Sequence, residues 1–145
     1  GLKEARELIA QKRYDEAIAR LDALSRERPR EPQARFLKSV AQSEAGRPDD
    51  ALATLTALAA DFPELPEVHN NLAVIYAARG GLELAKAELE LAIAASPDYA
   101  PAVENLGDVY ARLAARQYER AAALEKGKGL APAKLKLVRD ALAVH

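Results

Sequence analysis

The chain has 145 residues, half of them apolar and 30% charged, which suits a folded domain or a short solenoid and excludes a disordered segment. Lys+Arg at 21 against Asp+Glu at 22 leaves a net charge of −1, which advertises no basic face for nucleic acid. With no cysteine there are no disulfides or thiolate metal sites, and no apolar run reaches transmembrane length.

Alanine and leucine dominate and valine, isoleucine and aromatics are scarce, so the material is helical. Gly1 opens the chain and methionine is absent, as expected of a processed or excised piece. In chain order the pattern predicts helices over 2–11, 14–27, 33–45, 48–61, 66–79 and 82–95. The second opens on Tyr14-Asp15-Glu16-Ala17-Ile18-Ala19-Arg20-Leu21 and is followed by Pro29. Thirty-four residues on stand Pro48-Asp49-Asp50-Ala51-Leu52-Ala53-Thr54-Leu55 and Pro63. Thirty-four further stand Leu82-Glu83-Leu84-Ala85-Lys86-Ala87-Glu88-Leu89 and Pro97. Three columns thus stay in step.

Each column has a physical task. The alanine lets two helices of a hairpin approach closely, and the leucine one turn on fills the space between them. The proline lacks an N–H and ends each second helix. Gly46 and Gly80 stand where the chain must reverse, a place that suits the left-handed conformation. A fourth pair is expected to be atypical. Tyr118-Glu119-Arg120-Ala121 is out of step with the repeat, and no glycine or proline lies between Tyr110 and Lys126. One continuous helix over about 101–125 is predicted instead. After Gly127 and Gly129, Pro132 starts a last helix, whose Leu135, Leu137, Val138, Ala141 and Leu142 are expected to form one apolar stripe capping the array, with Lys134, Lys136, Arg139 and Asp140 outside.

The register resembles the tetratricopeptide repeat. The third copy fits best through Leu72-Ala73, Tyr76, Gly80, Ala85, Leu89, Ala92 and Pro97, and the fourth opens on Leu106-Gly107 and Tyr110. The second copy departs from it. Lys38 and Gln42 stand at its Leu and Tyr places, so its first helix is expected to be rotated onto Phe36, Leu37 and Val40. The resemblance implies an all-α superhelix of about three and a half helix-turn-helix repeats, bounded near 1–31, 32–65, 66–99 and 100–126, with a capping helix in 127–145. The run Asn105-Leu106-Gly107-Asp108-Val109-Tyr110 with a fused final helix also resembles tetratricopeptide proteins that proteobacteria export to the periplasm; that implies a periplasmic location, with the cytoplasm as the alternative.

No catalytic or metal constellation stands out. His69 and His145 are isolated, no Gly-x-Ser-x-Gly elbow surrounds any serine, and Gly127-Lys128-Gly129 lacks the form of a phosphate loop. His69, Tyr76 and Tyr110 are expected to pack between helices. Asp49-Asp50, Glu88 and Glu90 are expected to be solvated faces. No cofactor and no enzyme activity are expected.

The resemblance implies a concave face lined by first helices that grips a peptide or a partner helix. Counted from the alanine columns, the inward positions are Phe36, Val40 and Glu44, then Glu67, Asn70, Asn71 and Val74, then Glu104, Asn105, Asp108 and Arg112. Asn71 and Asn105 lie thirty-four apart, where an amide could hold a peptide main chain or bond its own turn. Phe36, Val40 and Val74 form either an exposed apolar strip or, for Phe36, part of the core. Phe36, Val40 and Glu67 also stand where relatives that capture chaperone tails carry a basic clamp, so that clamp is absent. The expected function is a protein-binding scaffold without membrane insertion; the alternative is a self-association module.

Overall fold

The computed structural model describes residues 1–145 as eight α-helices without a strand. Three hairpins come first: α1 (Leu2–Ala10) with α2 (Tyr14–Glu27), α3 (Gln33–Glu44) with α4 (Pro48–Asp61), and α5 (Pro66–Ala78) with α6 (Leu82–Ala95). Then α7 (Ala100–Leu124) runs unbroken for 25 residues, and α8 (Ala131–Leu142) folds back along it. Every helix lies within one residue of its expected bounds, and the architecture is the expected α-α solenoid.

The repeat columns are the core. Ala17, Ala51 and Ala85 are fully buried, as are Leu21, Leu55 and Leu89. Burying each leucine contributes roughly 2 kcal/mol. Neighbouring hairpins share clusters: Ala73 of α5 and Leu82, Ala85, Leu89 and Ala92 of α6 meet Ala102 and Val109 of α7. Ala51, Leu55 and Leu58 of α4 likewise meet Val68, Leu72 and Ile75 of α5. The turns follow the glycine column. Gly46 and Gly80 have φ of +76° and +78°, and the next N–H in each turn donates to the carbonyl of Gln42 or Tyr76. In the first hairpin the same place belongs to Lys12, at φ +61°. In α7 it belongs to Ala114, and the helix passes through.

Four expectations are corrected. First, α3 is not rotated. Its buried residues Ala34, Ser39, Ala41 and Gln42 stand thirty-four before Val68, Ala73, Ile75 and Tyr76, the register of α5. The polar substitutes stay in place because each finds a partner: Lys38 Nζ lies 2.7 Å from Asp22 Oδ1, and the Thr54 hydroxyl donates to Gln42 Oε1 at 2.7 Å. Second, Tyr110 is not wedged between helices but 49% exposed, with Lys86 Nζ 5.9 Å from its ring centre, because α8 returns along the C-terminal half of α7 only. Third, the stripe of α8 splits. Leu135, Val138 and Leu142 are half-buried, whereas Leu137 and Ala141 point to solvent. Helical geometry forces this, since residues two apart lie about 200° apart around the axis. Fourth, Glu88 is not solvated but bound to His69.

Candidate functional site

The first helices of the pairs, α1, α3, α5 and α7, line one side of the solenoid and leave two hollows. The first, of about 310 Å³, lies between α3 and α5, with Phe36 and Gln33 on one wall, Leu65 and Glu67 on the other and Arg6 of α1 at its edge. The second, of about 290 Å³, lies between α5 and α7. Val74 and Ala78 form one wall, Asn105, Asp108 and Arg112 the other, and Leu89 lies at its base.

The structure therefore brings Phe36 and Glu67 together in one hollow, and Val74, Asn105, Asp108 and Arg112 together in the other. Val40, Glu44, Asn71 and Glu104 line neither. Phe36 resolves between its two expectations: it is half-buried, resting on the Leu55–Leu72 cluster with one side toward the hollow. Asn70 is corrected. It is buried and accepts a hydrogen bond from Asn105 Nδ2 at 2.9 Å, which ties α5 to α7. Its own amide lies 3.5 Å from Asn71 Oδ1. Asn105 thus spends one N–H on the fold and keeps its other N–H and its carbonyl for the groove.

The hollows carry mixed charge, Glu67 with Arg6 in the first and Asp108 with Arg112 in the second. Tyr99, at the turn before α7, feels the Glu67 carboxylate. Burial, and after it the Glu67 carboxylate, pushes its phenol above the ordinary 10.0. Arg6, Leu65 and Tyr99 were not recognised from sequence. Leu65 and Tyr99 lie thirty-four apart just before their helices, a column that could have been read. Arg6 could have been read as well, since it stands thirty-four before Val40 in the column of Val74 and Asp108.

Behind the groove, His69 holds the third pair in shape. It is buried, as a packing residue should be. Its Nδ1 lies 2.7 Å from Glu88 Oε2 of α6 and its Nε2 2.6 Å from the Pro63 carbonyl in the turn before α5. One ring therefore fixes α5 against both its neighbours in the chain.

The model of the family described as "Tetratricopeptide repeat" matches residues 8–75 and, in a second overlapping placement, 42–107. No curated protein matches the chain. Among solved structures, the first TPR of Spaghetti (RPAP3) bound to the HSP90 peptide SRMEEVD is similar at 20% identity and a TM-score of 0.69, over 77% of this chain and 89% of that one. The MamA crystal structure is similar at 20% identity and a TM-score of 0.68, over 94% and 83%. The Yersinia enterocolitica type III secretion chaperone SycD, in complex with a peptide of the translocator YopD, is similar at 13% identity and a TM-score of 0.61, over 94% and 88%.

Proposed function

The chain belongs to the tetratricopeptide repeat family, a protein-interaction scaffold and not an enzyme, and from that premise we propose that it grips an extended peptide of a partner protein along its concave face. The observation that carries this reading is the pair of hollows, which collect six of the residues assigned to the groove from the repeat register. The two similar structures that hold peptides support it as a use of the same architecture.

Geometry narrows the ligand. The hollows are displaced by roughly nine residues along α5, about 13 Å, and by one helix spacing across it, about 10 Å. The diagonal is roughly 16 Å, which an extended chain covers in about five residues. Two apolar side chains at that spacing fit Phe36 and Leu65 at one end and Val74 and Ala78 at the other. Asn105 meets the main chain between them. Each hollow pairs one acid with one base, Glu67 with Arg6 and Asp108 with Arg112, which favours a peptide of mixed charge over a wholly acidic chaperone tail.

Peptides selected from a random displayed library on the 145-residue chain provide the test. Val74→Glu places a charge at a 52% exposed position without disturbing the core. It is expected to weaken the best peptide at least about tenfold, or 1.4 kcal/mol. Ala53→Glu on exposed α4 is expected to leave affinity unchanged. Equal affinity in both variants, or no selectable peptide, overturns the reading. A periplasmic setting belongs to the same proposal and rests on the resemblance at Asn105–Tyr110. An alkaline phosphatase fusion to the intact reading frame checks it, and an inactive fusion refutes it.

A further inference from the structure

The last repeat leaves two halves of a helix pairing unmatched. In the third pair, α6 lies over His69, Ala73 and Tyr76 of α5. The equivalent places on α7, thirty-four later, are Val103, Gly107 and Tyr110. All three are exposed, although Ser39 and Ala73, the counterparts of Gly107, are buried. A Cβ added at Gly107 would meet nothing within 4 Å. This is a slot shaped for a second helix, with no second helix in it.

The other half is on α8. Ala133, Leu137 and Ala141 lie a turn apart along it and form an exposed apolar stripe, with exposed Leu130 at the helix N-cap and exposed Val144 two residues past its end. Within it Ala133 and Leu137 repeat the alanine-to-leucine spacing of Ala51 with Leu55 and Ala85 with Leu89, the residues that fill such slots. A capping helix needs a polar outer face, and Leu137 is 69% exposed. Within one chain α8 cannot reach the slot. Its inner face lies on the C-terminal half of α7, pinned by Arg139 to Glu119 at 2.7 Å. Its 12 residues span about 18 Å, too short to return to Gly107.

We propose that the occupant of the slot is α8 of a second copy, the two chains exchanging slot and stripe around a two-fold axis. The two-fold axis lets the slot and stripe of each chain meet those of the other at once, so the assembly closes at a dimer instead of growing head to tail. The flanks agree in net charge: at the slot Glu90 and Glu104 outnumber Lys86, which lies over Tyr110, and beside the stripe Lys134 and Lys136 outnumber Asp140. The groove stays free on the opposite side of α7, so dimerisation and peptide capture are independent.

The absence of cysteine makes cross-linking a clean test. Sedimentation equilibrium is expected to give twice 15.6 kDa, and Leu137→Glu and Gly107→Glu are each expected to return the monomer mass with an unchanged helical spectrum. Mixing Gly107→Cys with Leu137→Cys protein under mild oxidation is expected to give a disulfide-linked dimer. Mixing Ala53→Cys with Leu137→Cys is expected to give none. A concentration-independent monomer overturns the proposal. So does a dimer that survives Gly107→Glu, or one in which only Leu137→Cys cross-links to itself, since α8 would then pair with α8 and leave the slot empty.

Discussion

Replacing His69 by alanine tests whether the groove is held from behind as the geometry implies. The ring bridges Glu88 and the Pro63 carbonyl at 2.7 and 2.6 Å, and its side chain is 8% exposed. The neutral carbonyl bond contributes about 1 kcal/mol and the carboxylate bond about 1.5–3 kcal/mol. Glu88 is 22% exposed and can take up some water after the ring is gone, so the lower end applies to it. The loss is then about 2.5 kcal/mol. At about 2.1 cal/mol/K per residue the unfolding entropy is roughly 0.3 kcal/mol/K, so Tm falls by about 8 °C. Thermal melts followed by circular dichroism read this directly. The double variant with Glu88→Ala should fall by clearly less than the sum of the two single losses, because both singles remove the same bond. A His69→Ala melt within about 2 °C of the parent would refute the reasoning.

Lys12→Gly is expected to stabilise the chain by about 1 kcal/mol, since lysine at φ +61° stands where the other hairpins use glycine; a lower denaturation midpoint would count against it. Gln42→Leu removes a buried acceptor from the Thr54 hydroxyl and should cost about 1 kcal/mol, most of it recovered when Thr54→Val is added; urea titrations of the three variants decide. The folded state keeps the Tyr99 proton at a pH where the unfolded chain has begun to release it. Stability is therefore full below about pH 10 and declines as pH rises through it. Tyr99→Phe should flatten that decline, and an unchanged alkaline slope would rule Tyr99 out as its source.

The hairpins were legible in sequence because their signals are local and periodic. Ala17, Ala51 and Ala85 must be small for helices to touch, and Pro29, Pro63 and Pro97 cannot continue a helix. Those constraints act within a turn or two, so the chain displays them to any reader. The unbroken course of α7 was legible for the same reason, as the lack of a turn signal between Tyr110 and Lys126. What the groove does with Asn70 and Asn105 was not. Both face inward by register, yet which amide is spent on the fold depends on the distance between α5 and α7, a tertiary quantity. Lys38 and Gln42 suggested a rotated helix because a sequence shows only that a polar residue stands at a core place. It does not show that Asp22 or Thr54, sixteen residues before the one and twelve after the other, will satisfy it there. The stripe of α8 divided for a related reason: one helix can be apolar on two sides, and only packing decides which side α7 covers.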